Sequence, residues 1–345
     1  MAKAQIFGKK NVLVIGGAGF IGSHLCDQLI KTSKVICVDN YVSGRVENIE
    51  HLLGRPDFAF LRHDIINPLK LDAYAELEPF QVQFQGIQEI YHLAVPTGIK
   101  DFQPLLVHTA LTNSHGTANA LEMARTYKAK MLLASTSAVY GDPLEGQATI
   151  EEEYWGFLNQ LSPRASYNEG KRFAETLCRA YQVEHGVETR IARLFNAYGP
   201  RMRLNSGRMI PDFVLAAVNN QDVVIYGDGA EESSYCYVSD TVDGIMKLMA
   251  STYTEPVNVG NPSSYKIIDL AEKIISLTNS SSKIVFAESL EGVQRQGLPS
   301  IKKAQEILGW FPVVGVEEGL KKTVDDMMGS RVLRYIPPQS PGNQV

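Results

Sequence analysis

Short apolar runs alternate with longer amphipathic segments over the first half of the chain. Residues 12–15 form a continuous apolar run, which is typical of a parallel strand buried on both faces. Residues 35–38 form a second run of this kind, and it ends at Asp39. Between the two, residues 23–30 carry apolar side chains at helical spacing. This pattern predicts a strand, a helix and a second strand.

The same alternation continues to about residue 195. Strands are predicted at 87–94, 130–135 and 189–195, and helices at 110–127 and 167–185. Strands that alternate with helices of this length indicate βαβ units around a mostly parallel sheet. Right-handed crossovers make such a sheet doubly wound. We therefore predict an α/β fold whose first domain, residues 1–195, contains a doubly wound parallel (Rossmann) sheet.

The pattern changes after Asn196. Prolines interrupt short elements, strands are predicted at 223–226 and 257–260, and an amphipathic helix is predicted at 267–278. We interpret residues 196–330 as a smaller α+β C-terminal lobe that binds substrate and shares some elements with the first domain. Residues 331–345 contain several prolines, and we expect a loosely ordered tail there.

Length and composition agree with two domains and exclude several classes of protein. The chain has 345 residues, and domains contain roughly 150 residues on average. Hydrophobic residues make up 44% and charged residues 21%, which excludes a disordered chain, a collagen-like fibre and a coiled coil. The net charge of −5 argues against nucleic acid or an anionic membrane as a partner.

The sequence also argues against a membrane span, secretion and a metal site. No apolar stretch approaches the ~18–20 residues that span a bilayer, and the N-terminus has no signal-peptide cleavage pattern. The cysteines are far apart, which argues against a disulfide framework or a zinc site. They are Cys26, Cys37, Cys178 and Cys236. We expect a cytoplasmic protein without a metal.

A glycine motif lies between the first predicted strand and helix. Gly16, Gly19 and Gly22 have the spacing of a tight turn whose backbone N–H groups bind a pyrophosphate at a helix N-terminus. Asp39, at the end of the next strand, has the position of an acid that binds the ribose 2′-hydroxyl and repels a 2′-phosphate. The motif predicts a dinucleotide site with NAD as the cofactor; the alternative is an ordinary tight turn.

Two further groups of side chains are candidates for catalysis. Tyr167 and Lys171 are four residues apart on a predicted helix, so they share one face. A neighbouring ammonium favours the phenolate, the form that acts as a general base. Thr136 and Ser137 follow a strand at the sheet edge where ligands bind, and either hydroxyl could bond a substrate oxygen. The alternatives are a surface pair for Tyr167 and Lys171 and local capping of a turn for the hydroxyls.

Together these motifs resemble the extended short-chain dehydrogenase/reductase family, in its NAD-dependent sugar-nucleotide epimerase/dehydratase branch. The resemblance covers roughly residues 10–325. It rests on the segments 16–22, 39–41, 63–65, 91–94, 136–141, 167–171 and 193–201. Within the branch, residues 141–143 and 162–172 and the pair Gly309-Trp310 are most similar to UDP-glucuronate decarboxylases (UDP-xylose synthases).

The resemblance implies a role for each matching residue. For the cofactor, it implies Gly16, Gly19, Phe20 and Ile21 at the pyrophosphate, and Asp39 and Asn40 at the adenosine ribose. It implies Asp64 and Ile65 beside the adenine, with Leu93 and Ala94 packed near the cofactor. It also implies Tyr167 and Lys171 at the nicotinamide end, and Gly44 as a further cofactor-binding residue. For catalysis it implies Thr136, Tyr167 and Lys171. For the substrate it implies Thr97, Ser137, Ala138, Asn196, Arg201, Ser233 and Arg295. It also implies a homodimer formed through the helices at 110–127 and 167–185.

The chain departs from the family pattern at the substrate end. Decarboxylases and dehydratases of this branch have a glutamate where this chain has Ala138, and many 4-epimerases have a small residue there. The family usually has an arginine at the position of Ser233, and here two glutamates, Glu231 and Glu232, precede it. Cations that could compensate for the lost arginine are Lys100, Arg201, Arg203 and Arg208.

We therefore predict NAD-dependent oxidation at C4 of a nucleotide sugar, a UDP-sugar or UDP-uronic acid, to a 4-keto intermediate. The leading expectation is 4-epimerisation. The alternatives are UDP-glucuronate decarboxylation, and NAD-dependent oxidoreduction of a non-nucleotide substrate after loss of the diphosphate site. A third alternative is an NAD-binding module without catalytic activity.

Overall fold

A parallel sheet organises most of the chain. The computed structural model describes residues 8–101, 104–144, 147, 149–288 and 297–329. The strands are β1 (Asn11–Ile15), β2 (Lys34–Asp39), β3 (Phe58–Arg62), β4 (Glu89–His92), β5 (Lys130–Thr136), β6 (Thr149–Ile150), β7 (Thr189–Leu194), β8 (Ala197–Tyr198), β9 (Val223–Tyr226), β10 (Glu232–Ser234), β11 (Cys236–Tyr237), β12 (Val257–Val259), β13 (Ser264–Lys266), β14 (Ile284–Ala287) and β15 (Leu298–Pro299). The α-helices are α1 (Phe20–Leu29), α2 (Val82–Gln85), α3 (Leu106–Leu111), α4 (Thr117–Tyr127), α5 (Ala165–His185), α6 (Met209–Val218), α7 (Val238–Ala250), α8 (Ile267–Leu277), α9 (Lys302–Leu308) and α10 (Val316–Gly329).

Seven strands form the large sheet, in the order β12-β7-β5-β4-β1-β2-β3. Every neighbouring pair in it is parallel. The strand order reverses between β1 and β4, where chain connections leave in opposite directions. In such sheets, ligands bind at the carboxyl ends of the strands beside that point. The predicted doubly wound α/β fold is confirmed.

The apolar runs supply two cores, one on each face of the sheet. Val12 and Val14 of β1 belong to the core that contains Leu25 of α1, and Leu13 and Ile15 belong to the opposite core. Helices α1 and α7 cover the first face, and α4 and α5 cover the second. Because side chains alternate along a strand, a continuous apolar run serves both cores at once.

Several element boundaries differ from the predicted ones. Helix α1 begins at Phe20, directly after Gly19, rather than at residue 23. The helix predicted at 110–127 begins at Leu106 and passes through a π-helical segment, Thr112–Gly116, before α4. Strand β3 was not predicted. Residues 71–86, for which no element was predicted, form 3₁₀ turns and α2, and they bury Leu77 and Phe80 in the second core.

The second lobe pairs short strands around α6, α8 and α10. Its pairs include β9 with β14 and β10 with β13. The large sheet is not complete at residue 195, because β12 pairs with β7 and α7 packs on the sheet. Buried Trp310 ties the end of α9 to α7, since its Nε1 donates to the Asp240 carbonyl at 3.0 Å. The tail 331–345 lies outside the described residues.

Within the described residues, the helices are too short or too polar to cross a membrane. In the same part of the chain, no group of histidine, cysteine, aspartate and glutamate side chains has a metal-binding arrangement. The four cysteines are buried and free.

Candidate functional site: a cleft at the carboxyl ends of the strands

One continuous cleft runs along the carboxyl edge of the sheet, between the sheet and the second lobe. Its lining begins at the glycine turn, passes the ends of β2, β3, β4 and β5, and reaches α5 and β10. All the residues assigned to the cofactor by resemblance line this cleft except Gly44. The cleft thus brings together groups that are as far apart in the chain as Gly16 and Lys171.

The glycine turn leaves backbone donors open at the start of α1. Gly16 has φ +86°, in the left-handed region that favours glycine. A Cβ on Gly22 would lie 2.1 Å from the Gly16 carbonyl oxygen, so the turn closes only without side chains. Gly19 provides no side-chain cap, and the first N–H groups of a helix have no intrahelical partner. These donors fit a pyrophosphate.

The end of β2 presents a carboxylate to the cleft. Asp39 accepts hydrogen bonds from the backbone N–H groups of Ala18 at 3.0 Å and Tyr41 at 2.8 Å, one on each oxygen. Burial raises the pKa of Asp39 above its ordinary value, although backbone hydrogen bonds oppose the shift. A carboxylate has about four lone-pair positions, so Asp39 retains acceptor capacity, which fits ribose hydroxyls and not a phosphate. Gly44 lies behind this group, where a Cβ would be 2.8 Å from both carboxylate oxygens. The donors and acceptors present therefore fit NAD.

Beyond Asp39, the cleft is lined by Asn40, Asp64, Ile65, Leu93 and Ala94. Asn40 Nδ2 donates to Asp64 Oδ2 at 3.0 Å, and His108 Nε2 lies 2.9 Å from the same oxygen. Partial burial alone would raise the pKa of Asp64, but hydrogen bonds from His108, Ile66 and Asn40 outweigh it and lower the pKa. His108 was not predicted as a site residue, because nothing adjacent in the sequence connects it to Asp64.

The candidate catalytic side chains lie at the centre of the cleft. Lys171 is buried, and its Nζ donates to the Ala134 carbonyl at 2.8 Å. Burial lowers the pKa of Lys171 to about 8. Tyr167 and Thr136 are also buried and line the cleft. Thr136 Oγ1 accepts from the Ala138 N–H at 3.2 Å, so Thr136 caps a turn as well as facing the cleft.

Thr97, Ser137, Ala138, Asn196 and Ser233 line the substrate end. Ser233 Oγ accepts from Asn196 Nδ2 at 3.2 Å. Ala138 packs in a small apolar cluster with Tyr167 and Val95. The position of the family glutamate is therefore filled by an apolar contact against the candidate base. The roles of these residues stay predictions.

The cations expected to compensate for Ser233 separate into two groups. Arg201 does not line the cleft, and its guanidinium lies 2.7 Å from Asp27 on α1. Its role in substrate binding stays a prediction. Lys100 bonds Asn205 and is also outside the lining. Arg203 and Arg208 do line it. Arg203 pairs with Asp101 at 2.9 Å, and Arg208 donates to the Thr97 carbonyl at 2.9 Å.

Two further facts complete the substrate end. Arg164, just before α5, lines the cleft and was not predicted. Arg295 lies outside the described residues.

Comparisons with known proteins agree with this geometry. The model of the NAD dependent epimerase/dehydratase family matches residues 12–260. UDP-glucuronic acid decarboxylase 1 of Xenopus tropicalis is 42% identical over 317 residues, which cover 92% of this chain and 72% of that protein. UDP-glucuronic acid decarboxylase 5 of Arabidopsis thaliana is also 42% identical, over 91% of this chain and 88% of that protein.

Solved structures of epimerases are similar over almost their whole length. The UDP-glucose 4-epimerase of Thermotoga maritima has a TM-score of 0.80 and 28% identity, covering 92% of this chain and 98% of that one. The UDP-glucuronic acid 4-epimerase of Bacillus cereus, solved with UDP-glucuronic acid and NAD, has a TM-score of 0.79 and 28% identity, covering 92% and 99%. The fold, the cleft and the family match together establish that the chain belongs to the NAD dependent epimerase/dehydratase family of enzymes.

Proposed function

We propose that this enzyme oxidises C4 of a nucleotide sugar to a 4-keto intermediate. The observation that carries the proposal is the joint placement of Tyr167, Lys171 and Thr136 in the cleft, with the Lys171 ammonium held at 2.8 Å by the Ala134 carbonyl. Buried groups of this kind, at the carboxyl edge of a parallel sheet, suit proton transfer to and from a bound hydroxyl.

Each of the three side chains has a defined part in this reaction. Tyr167 removes the proton of the C4 hydroxyl, and the nearby Lys171 charge stabilises the phenolate that this requires. Thr136 Oγ1 already accepts a hydrogen bond from the Ala138 N–H, so its own proton remains for donation to the C4 oxygen. Bound NAD would supply the hydride acceptor for C4 and the hydride donor for the return step.

Ala138 favours 4-epimerisation as the outcome. It is 3% exposed and packs against Tyr167 and Val95. A methyl group there provides no acid or base beside the sugar, so this position does not support proton exchange at C5. The sugar then keeps C5 intact, turns over and takes hydride back on its other face.

Decarboxylation is the second candidate, and the relatives named UDP-glucuronic acid decarboxylases, at 42% identity, favour it. A 4-keto uronic acid is a β-keto acid, in which the carbonyl itself accepts the electron pair released with CO₂. Tyr167 and Thr136 would stabilise the resulting enolate through its oxygen. Such a loss needs no protein carboxylate in the bond-breaking step, so Ala138 does not forbid it.

The third candidate, a non-nucleotide substrate, rests on the charge beside β10. Glu231, Glu232 and Ser233 line the cleft where relatives carry an arginine. Two carboxylates oppose a diphosphate, whereas Arg203 and Arg208 on the same cleft favour one. The balance of these groups decides whether a nucleotide diphosphate binds.

Product analysis distinguishes the three. The enzyme is incubated with NAD and separately with UDP-glucose, UDP-galactose, UDP-glucuronate and UDP-galacturonate, and products are followed by proton NMR with a CO₂ assay. Inversion at C4 without CO₂ indicates epimerisation, and release of CO₂ from UDP-glucuronate indicates decarboxylation. No turnover of any substrate, with no calorimetric binding of UDP to NAD-loaded protein, would refute the nucleotide-sugar proposal.

We also propose a homodimer formed through α3, α4 and α5. Val107 of α3 is 73% exposed and Phe173 of α5 is 49% exposed, and α3 packs against α5. Two large apolar side chains on adjacent exposed helices favour association with a second copy. Light scattering should give twice the chain mass of 38.1 kDa, and the double variant Val107→Asp/Phe173→Asp should give the monomer. A monomeric wild-type protein at micromolar concentration would contradict this.

A further inference from the structure

The positions of the strands locate the base of the dinucleotide. The pyrophosphate donors lie at the start of α1, after β1, and the ribose acceptor Asp39 ends β2. Strand β3 is the next strand outward in the sheet. A nucleotide that extends from β1 past β2 therefore places its base at the end of β3, where His63, Asp64 and Ile65 line the cleft.

The Asp64 carboxylate has one acceptor position left at this point. Its Oδ1 accepts from the Ile66 N–H at 3.0 Å. Its Oδ2 accepts from Asn40 Nδ2 at 3.0 Å and is 2.9 Å from His108 Nε2. A carboxylate has about four lone-pair positions. Three are used within the protein, and the remaining one is on Oδ1.

His108 connects α3 to the end of β3 through one ring nitrogen. An ionised carboxylate only accepts hydrogen bonds, so His108 Nε2 must be the donor to Asp64, at 2.9 Å. Thr112, which begins the π-helical segment after α3, lies near the other ring nitrogen, but its hydroxyl donates to the His108 carbonyl at 2.8 Å. The Asp64 bond therefore sets the orientation of the ring, and both His108 and Thr112 line the cleft.

We propose that His108 is a positioning residue that orients Asp64 toward the cofactor base and selects a base with a hydrogen-bond donor at C6. Both lone pairs of Asp64 Oδ2 accept hydrogen bonds, one from Asn40 and one from His108, so rotation of the carboxylate would break a bond. Oδ1 then has one lone pair left that can accept a hydrogen bond from the base. Adenine presents an amino group at C6, which donates. Hypoxanthine has a carbonyl at C6. A carbonyl oxygen can only accept hydrogen bonds, so it is repelled by the lone pair of Oδ1.

The test measures dinucleotide binding without any sugar, so it is independent of the proposed C4 chemistry. Dissociation constants of NAD⁺ and of nicotinamide hypoxanthine dinucleotide are determined by calorimetry on the full chain stripped of cofactor. We expect His108→Ala to weaken NAD⁺ binding about tenfold, the usual consequence of losing a charge-assisted hydrogen bond. Binding of the hypoxanthine analogue should weaken much less, so the preference for NAD⁺ falls.

Three further variants make the result specific. His108→Gln retains a side-chain N–H donor and should restore most of the preference. Asp64→Asn replaces an acceptor with a donor and should shift the preference toward hypoxanthine. His51→Ala is the matched control, because it removes a comparable histidine–carboxylate pair, with Asp27 at 2.6 Å, outside the cleft lining; it should leave the preference unchanged.

The outcomes separate positioning from general support of the fold. A preference that falls in His108→Ala and recovers in His108→Gln supports the proposal. If binding of both dinucleotides weakens equally, the preference is unchanged. That result would assign His108 a structural role only and would overturn the proposal, as would unchanged affinity for both dinucleotides. If His108→Ala does not fold, the Asp64→Asn variant decides the question. An unchanged preference in Asp64→Asn would show that Asp64 does not contact the base, and His108 would then have no contact to orient.

Discussion

Glu175 of α5 and Arg193 of β7 form a partly buried ion pair, with Arg193 Nη2 2.7 Å from Glu175 Oε2. The same carboxylate accepts from Ser135 Oγ at 2.5 Å. Glu175 lies one helical turn beyond Lys171 and so shares its face of α5. Ser135 is the neighbour of Thr136 at the end of β5. Glu175 therefore connects the helix that carries the candidate base to β7 through Arg193, and to β5, the strand that carries Thr136, through Ser135.

Glu175→Gln should destabilise the protein substantially. It leaves the largely buried Arg193 guanidinium without a counter-charge, and removal of one partner from a fully buried pair costs about 3–5 kcal/mol, which is the upper limit here. The control is Glu169→Gln on the same helix, where the pair with Arg172 is more exposed and 3.9 Å long and is worth less than about 1 kcal/mol. Denaturant unfolding measures both, and similar losses in the two variants would contradict a special role for Glu175.

Tyr167→Phe should lower turnover by about a thousandfold, within the range expected for loss of a general base, while the affinity for NAD changes little. Single-turnover kinetics and NAD calorimetry measure the two effects. The control is Tyr235→Phe, since Tyr235 lines the same cleft but its hydroxyl donates to Met209 Sδ at 3.7 Å. It should retain activity within severalfold. Equal rates for wild type and Tyr167→Phe would remove Tyr167 from the mechanism.

The parts of the site that the sequence predicts are those whose groups are close together in the chain. Gly16 to Gly22 form a single turn, and Tyr167 and Lys171 lie one helical turn apart, so spacing alone indicates both. Arg201 shows the limit of such spacing. Its motif predicts a substrate contact, whereas its guanidinium pairs with Asp27 on a distant segment of the chain and lies outside the cleft lining.

His108 shows the complementary failure. Its partner Asp64 follows β3, a strand that was not predicted, and the two meet only because the sheet and α3 bring them together. For the same reason the substrate lobe was only coarsely predictable. Its strands are two to four residues long and pair across the chain, and β12 returns to the large sheet.

Lys171→Met should abolish turnover and change how stability depends on pH. The folded pKa of Lys171 is about 8, below the ordinary 10.5, so between these values the unfolded chain binds more protons. Wild-type stability therefore gains up to about 3 kcal/mol from this group as pH rises from 8 to 10.5. Lys171→Met lacks this gain.

As the pH rises through that interval, the free energy of unfolding of the wild type should therefore increase relative to that of Lys171→Met. Chemical denaturation at pH 7, 8, 9 and 10 measures the difference between them. Exposed Lys31 provides the control, and Lys31→Met should differ from wild type by a constant amount. A constant difference for Lys171→Met would show that the buried lysine keeps its charge throughout.

Ser233→Arg should increase the affinity of NAD-loaded protein for UDP about tenfold, the gain from one charge-assisted hydrogen bond to a diphosphate. The new guanidinium would enter the cleft beside Glu231 and Glu232 and cancel part of their negative charge, although it gives up the Asn196 contact of 3.2 Å. Ser263→Arg, on an exposed turn outside the cleft lining, adds the same charge and should change the affinity less than about twofold. Calorimetric titration with UDP compares the two. A gain confined to Ser233→Arg would place the diphosphate beside β10, whereas no gain in either variant would favour a substrate without a diphosphate at that position.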